Sequence, residues 1–343
     1  MNTQITLPII AAIAFAMSLA ITRFLISHSS GMGLVQVPNH RSSHAKPTPS
    51  GGGVSIVAAG TSATILMGPS LPTALPVTLV IVSVAGGIMG LLDDRLDIPA
   101  RYRLVVQFLL VGVLLVAARP FTFDFSGLDW LTIALGLIAV LAGVWWVNLF
   151  NFMDGIDGIA ATEAIFILGG AILFLGVDRQ GTFTELSIAA VAVASIAGFL
   201  IFNWPPARIF MGDAGSNYLA FLILGLAVTT VAAGLLSLSL WMILPALFVA
   251  DASVTLFRRA LRGERLFSAH KVHAYQKLSR RLNGHLPVTL LYAAINVFWL
   301  FPAAVLSVHY STLEWLIAGL STLPLVVFCW LAGAGQPDAP ENK

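Results

Sequence analysis

The acidic and amide side chains of this 343-residue chain fall in a few tight groups. Asp93 and Asp94 are adjacent, behind the run Gly86-Gly87-Ile88-Met89-Gly90 and ahead of Arg95. Neighbouring carboxylates repel unless a cation lies between them, so the pair suits a hard divalent ion; a solvated helix end with a local ion pair would look the same. Asn148, Asn151, Asp154 and Asp157 then recur every third residue, in Asn148-Leu-Phe-Asn-Phe-Met-Asp-Gly-Ile-Asp-Gly158. On an unbroken helix each such step turns the side chain by about 60°, so the four would wrap half the circumference. Gly155 and Gly158 predict instead that the helix frays there, presenting backbone groups and acids to a polar ligand. A merely polar helix end accounts for the glycines but not for the asparagines.

In Phe210-Met-Gly-Asp-Ala-Gly-Ser216 the glycines give a tight turn, and the backbone N–H groups of the helix that follows can face an anion. Asp213 falls in the N-cap region, where capping alone would explain it. Arg208 suits a phosphate, or simply the inner face of a membrane. His270-Lys271-Val-His273 puts three cations in four positions, fit for a pyrophosphate or for lipid headgroups. No further Cys or His lies nearby to complete a zinc set. The first polar loop carries Arg41, His44, Lys46, Pro47, Pro49 and Gly51-Gly52-Gly53, a mixture of bases and turn formers suited to a lid or a linker. Asp251 lies inside an apolar run, where an acid is a functional candidate by default, or else the partner of a basic side chain on a neighbouring helix.

The elements that must position these residues are set by composition. With 58% hydrophobic and 10% charged residues there is too little polar surface to cover a water-soluble globule, so the chain belongs in lipid. Apolar stretches of spanning length run over about 5–26, 51–69, 74–92, 101–118, 130–150, 158–176, 185–203, 215–235, 238–258, 288–309 and 312–333. They predict an all-α integral membrane bundle of about eleven transmembrane helices. The first lacks a basic leading segment and reads as a retained helix, not a signal peptide. With the N-terminus outside, Arg41, Lys46, Arg95, Arg101, Arg103, Arg208 and the basic stretch Arg258–Arg281 share one side, leaving Arg119 and Arg179 on the other. That asymmetry predicts a periplasmic N-terminus and a cytoplasmic C-terminus. Every polar cluster above then converges on the cytoplasmic face. Trp145 and Trp146 mark the interface. The lone Cys329 permits no internal disulfide. The pattern predicts one transmembrane helical domain, 1–333, followed by a short disordered tail, 334–343.

In their order, spacing and shared sidedness, Asp93-Asp94, the Asn148–Gly158 ladder, Phe210–Ser216 and the late basic loop resemble the polyprenyl-phosphate N-acetylhexosamine-1-phosphate transferases, over about Val37 to His285. The chain is most similar to the bacterial enzymes that start O-antigen or related polysaccharides on undecaprenyl phosphate. The resemblance implies transfer of a sugar-1-phosphate from a UDP-N-acetylhexosamine to undecaprenyl phosphate, with release of UMP, at the cytoplasmic face of the bacterial inner membrane. It implies Mg²⁺ or Mn²⁺ as cofactor, held by Asp213, Asp93 and Asp94, and a catalytic set of Asp93, Asp94, Asp157, Asp213 and His270. Asn148, Asn151, Asp154, Phe210, Arg208, Lys271, His273 and His44 would bind substrate. A homodimer is compatible with the composition, and no nucleic-acid partner is expected. The late loop, Ser268-Ala-His-Lys-Val-His-Ala-Tyr-Gln-Lys277, has fewer histidines than the relative that makes peptidoglycan lipid I. It also differs from the Arg/Asp-containing loop of N-acetylglucosamine-specific bacterial enzymes, which keeps N-acetylfucosamine and N-acetylquinovosamine as donors beside N-acetylglucosamine. The alternative from another class is an ion-coupled secondary transporter, which would place its acids near the bilayer midplane between broken helices.

Overall fold

A computed structural model describes residues 3–32, 34–36, 47–67, 74–118, 130–176, 183–264 and 270–337. Arg41, His44, Lys46, Arg119, Arg179, Ser268 and residues 338–343 lie outside the described residues. In lipid every backbone group must be satisfied within its own segment, so apolar stretches become helices. They are α1 (Thr3–His28), α2 (Gly53–Leu66), α3 (Ala74–Leu96), α4 (Ala100–Ala118), α5 (Trp130–Phe152), α6 (Ile159–Gly176) and α7 (Phe183–Asn203). There follow α8 (Gly212–Ala232), α9 (Leu238–Ile243), α10 (Ala246–Leu261), α11 (Ala274–Arg281), α12 (Leu286–Ile295), α13 (Phe301–His309) and α14 (Glu314–Leu331). A two-residue antiparallel ladder pairs Val35 with Pro49 and Gln36 with Thr48.

Among the described residues nine helical stretches are long and apolar enough to cross a membrane: α1, α3 to α8, α12 continued through α13, and α14. The all-α, multi-pass architecture is as the composition requires; the two remaining apolar stretches differ from expectation. Helix α2 has 14 residues, rising about 21 Å, short of a hydrocarbon core of about 30 Å. The predicted span 238–258 is broken between Ile243 and Ala246, where Pro245 supplies no N–H, into the short α9 and the 16-residue α10. A π segment, Asn296–Leu300, joins α12 to α13, with Phe301 N donating to Asn296 O five residues back. It precedes Pro302, whose ring would meet the carbonyl four residues earlier in a regular helix. Ala334 and Gly335, assigned by sequence to a loose tail, are held in place. Arg258 donates to Ala334 O at 3.0 Å, Arg262 donates to Gly335 O, and Gly335 N donates to Val272 O at 2.6 Å.

Helix α8 is the most buried spanning helix, with 78% of its apolar window inside the protein, so its neighbours set its position. Helix α3 lies against it at glycines: a Cβ on Gly86 would overlap the Phe221 ring, and one on Gly90 would overlap the Asp213 carbonyl. Small residues let helix backbones approach where lipid offers no hydrophobic drive to associate. Gly90→Ala is therefore expected to cost about 1–3 kcal/mol by overpacking and to lower the melting temperature in detergent. Gly112→Ala, facing open space, is expected to be neutral or slightly stabilising. Equal melting temperatures for the two variants would contradict this packing.

Candidate active centre

Helix α8 begins at Gly212, in the left-handed region at φ 74°, and the preceding Met211 offers no side-chain cap. The cap comes from another helix. Asp94, near the end of α3, accepts from Asp213 N at 3.1 Å and from Ala214 N at 3.3 Å, one carboxylate oxygen to each. A carboxylate on first-turn amides satisfies donors that have no intrahelical partner and meets the positive end of the helix dipole. Capping, the structural account of Asp213, thus belongs to Asp94, and the Asp213 carboxylate is left for other partners. It lies 3.9 Å from Arg103 Nη1 and within hydrogen-bonding reach of Asn151 and of the Asp93 carboxylate. Arg103 pairs at the same time with Asp93, whose other oxygen accepts from Ile98 N at 2.9 Å. Two carboxylates this close require a proton or a cation between them. Arg103, which the sequence marked only as an inner positive charge, is that cation here. Nothing local in the sequence reveals it, because it belongs to the next helix, α4.

The asparagine ladder divides between the centre and its supports. Asn151 donates to Ser216 Oγ at 3.0 Å, tying α5 to α8 beside Asp213. Asn148 instead donates to Gln107 of α4 at 2.7 Å and to Val144 O at 2.8 Å, an interhelical tie one turn away. After Phe152 the helix ends as the glycines predicted, and the Tyr275 hydroxyl donates to Phe152 O at 2.9 Å. Asp157, one of the catalytic set that the resemblance implies, has both carboxylate oxygens engaged by the protein: Ala207 N donates to one at 2.9 Å, and His285 Nδ1 lies 3.0 Å from the other. Its carbonyl accepts from Thr289 at 2.8 Å, so Asp157 pins the start of α6 to α12 and to the segment before α8. Asn203 completes that anchor, accepting from Gly158 N at 3.1 Å and donating to Ile209 O at 2.9 Å. Phe210 N donates to Pro49 O, and Gly52 N donates to Phe210 O, which seats the glycine run of the first loop against the α8 turn. The Arg208 guanidinium lies exposed, 5.3 Å from the Phe202 ring centre.

The late basic loop adjoins this centre through Phe152, whose ring lies 6.4 Å from that of His273. His273 is buried, with Nδ1 3.5 Å from Asp251, and the His270 ring stacks on it at 4.9 Å. Burial, then His273 and Arg259, push the His270 imidazole down to about 3, so it is neutral at physiological pH. The expectation of three cations in four positions is corrected accordingly: His270 adds no charge there. The Lys271 carbonyl accepts from Arg280 at 3.0 Å.

Among the described residues no group of three or more His, Cys, Asp or Glu side chains is disposed to hold a metal ion. Mg²⁺, however, is ordinarily held by one or two carboxylates together with substrate phosphates and water, not by a complete protein cage. Asp93 and Asp213, hard oxygen donors brought within reach of each other, fit that mode of binding. Asp94, at their flank, adds charge while its oxygens hold α8.

Burial, then the charges of Asp94 and Asp157, push the Asp154 carboxyl up from 3.8 to about 7. Ionising it therefore costs folding free energy, beginning as pH rises past the unfolded value near 4 and reaching its full extent above about 7. Asp154→Asn is expected to raise the melting temperature in detergent more at about pH 8 than at about pH 5. Equal gains at the two pH values would contradict this environment for Asp154.

The glycosyl transferase family 4 model matches residues 76–231, a stretch that holds Asp93, Asp94, Arg103, Asn151, Asp154 and Asp213. Over 280 residues the chain is 30% identical to a probable undecaprenyl-phosphate N-acetylglucosaminyl 1-phosphate transferase of Bacillus subtilis, covering 78% of this chain and 76% of that one. It is 28% identical over 276 residues to a phospho-N-acetylmuramoyl-pentapeptide-transferase of Geobacillus kaustophilus, covering 73% and 83%. A decaprenyl-phosphate N-acetylglucosaminephosphotransferase of Mycobacterium leprae is 29% identical over 293 residues, covering 75% and 73%. The family match falls on the stretch that builds the carboxylate centre, and the likeness to these relatives covers about three quarters of the chain: the chain belongs to glycosyl transferase family 4, the polyprenyl-phosphate N-acetylhexosamine-1-phosphate transferases.

Proposed function

We propose that this chain transfers an N-acetylhexosamine-1-phosphate, of the N-acetylglucosamine, N-acetylfucosamine or N-acetylquinovosamine type, from a UDP-sugar to undecaprenyl phosphate. UMP leaves, and the product is an undecaprenyl-diphosphate sugar that begins an O-antigen or a related cell-envelope polysaccharide. The observation that carries this reading is the meeting of Asp93, Asp94, Arg103, Asn151 and Asp213 at the ends of α3, α4, α5 and α8. A water-soluble nucleotide sugar and a lipid phosphate can meet only where polar groups sit at the end of apolar helices. The bias of Lys and Arg supports a bacterial inner membrane with this end in the cytoplasm.

In the mechanism we favour, an oxygen of the lipid phosphate attacks the β-phosphorus of the UDP-sugar. The bond from that phosphorus to the bridging oxygen breaks, and UMP keeps the bridging oxygen. A phosphate monoester with a second pKa of about 6 is already mostly dianionic at pH 7, so no side chain need remove a proton from it. Asp213 and Asp93 would hold Mg²⁺, which when bound supplies positive charge between two anionic substrates. Arg103 neutralises the same two carboxylates, limiting the repulsion that the approaching phosphates meet. Asn151 fixes the Asp213 side chain, and Asp154, as carboxylate, can accept from the uracil N–H. In this reading Lys271 and His273 would take the pyrophosphate or sugar end, with neutral His270 as a hydrogen-bonding partner and not a counter-ion.

The modest histidine content of the late loop favours a small N-acetylated sugar over a muramoyl-pentapeptide donor. Purified protein with undecaprenyl phosphate and Mg²⁺ is expected to release UMP from at least one of the three UDP-N-acetylhexosamines in preference to the UDP-muramoyl-pentapeptide. Without the lipid, even a single turnover should be missing. Preference for the pentapeptide donor would overturn the substrate assignment, and a stoichiometric burst of UMP without lipid would overturn direct attack in favour of a covalent aspartyl intermediate.

A further inference from the structure

Asp251 is fully buried and takes no part in the chemistry above. A buried carboxylate costs several kcal/mol unless it is fully hydrogen-bonded, so its partners decide what it is for. The basic side chain among them is His273 at the start of the neighbouring α11, 3.5 Å away, whereas the Arg258 guanidinium on its own helix turns to the carbonyls of Trp330 and Ala334. One oxygen of Asp251 accepts from Ala274 N at 2.8 Å and from Thr255 Oγ1 at 3.3 Å; the other accepts from Tyr275 N at 3.0 Å and from Tyr292 Oη at 2.7 Å. Ala274 and Tyr275 are the first two residues of α11, and His273, whose Nδ1 lies 3.5 Å from Asp251, is its N-cap. Asp251 thus fixes where α11 starts, and with it the end of the His270–His273 loop.

Helix α11 passes that constraint on. The Tyr275 hydroxyl donates to the carbonyl of Phe152, the last residue of α5, which has no further helical turn to serve it. A Cβ on Gly155 would overlap the Tyr275 hydroxyl oxygen, so glycine is what lets the acid-bearing turn close on it. Two hydrogen-bonded links therefore join a buried carboxylate in α10 to the turn that carries Asp154. Asp251, Tyr275 and the late loop all lie beyond the 76–231 stretch matched by the family model.

From this chain of contacts we infer that Asp251 is a positioning residue that acts through α11. By holding Tyr275 against Phe152 it sets the Asn151–Asp157 turn and the His270–His273 loop at a fixed separation, and so governs affinity for the nucleotide-sugar donor. The kinetic consequence rests on the transferase reading; the structural one does not.

Hydrogen–deuterium exchange on the full chain in detergent separates the two. Tyr275→Phe, which deletes one hydroxyl and keeps the buried ring, is expected to speed exchange in residues 151–158 and leave 274–281 protected. Asp251→Asn, with one acceptor oxygen where there were two, is expected to speed exchange in both segments. In steady-state assays each variant should raise KM for the UDP-sugar about tenfold, the effect of losing one buried hydrogen bond, with KM for undecaprenyl phosphate unchanged. Gly155→Ala should give the same donor defect, and adding Tyr275→Phe to it should worsen it no further. Unchanged exchange in 151–158 in both variants, additive effects of Gly155→Ala and Tyr275→Phe, or equal KM shifts for donor and lipid would each overturn the inference. If the wild-type protein transfers no sugar phosphate, the functional reading fails, and the exchange result still decides the positioning role.

Discussion

The carboxylate of Asp94 on the first-turn amides of α8 is the interaction on which the rest of the site depends. It requires α3 and α8 to run almost in backbone contact, and glycine at Gly86 and Gly90 permits that approach. It also needs the chain to enter α8 through a left-handed residue, which Gly212 supplies, its missing Cβ leaving room for the Asp94 carboxylate. Once the cap is supplied from outside, the Asp213 carboxylate need not cap its own helix and turns to Arg103 and Asn151. The turn before α8 is then fixed from every side: by Pro49 and Gly52 of the first loop, by Asn203 of α7, and by Asp157, which reaches Ala207.

Electrostatics explains why such a centre belongs to function and not to stability. Asp93, Asp94, Asp154 and Asp213 share one region, where the Arg103 guanidinium bridges two of them. An apolar replacement would relieve the repulsion, which adds to burial in raising the pKa of Asp154. The cluster becomes favourable when cationic charge and phosphates arrive together, which is the situation a sugar-phosphate transferase meets at each turnover. Asp251 and Asp157 are the contrasting cases. Each is surrounded by donors that satisfy it, and each fixes one element against another.

Much of this was legible in the sequence, because the signals were local. Apolar stretches located the helices, and glycines beside Asp154 and Asp157 located the break after α5. Adjacent acids and a Gly-Asp-Ala-Gly turn located the centre. What was not legible depended on partners from other helices. Arg103 is an ordinary inner-face arginine until α4 folds back to bring it to Asp93. Asp157 has the spacing of a ligand-binding acid, yet His285, far along the chain, claims one of its oxygens. Glu163 was not singled out, although it is a buried acid within α6 that accepts from Asn296 at the π segment at 2.6 Å. Hydropathy also drew two stretches as regular helices, since an average over a window does not register the shortness of α2 or the interruption at Pro245.

The most direct test of the central constraint compares Asp94→Asn with Asp213→Asn in the same purified preparation, measuring melting temperature and Mg²⁺-dependent UMP release together. If Asp94 holds the start of α8 while Asp213 serves the chemistry, Asp94→Asn loses both, since its single acceptor oxygen can satisfy only one of two amides, at a cost of about 1–2 kcal/mol. Asp213→Asn should then lose UMP release while melting at or above the wild-type temperature. An Asp94→Asn protein as stable as wild type, or an Asp213→Asn protein that still releases UMP at the wild-type rate, would contradict this division of labour.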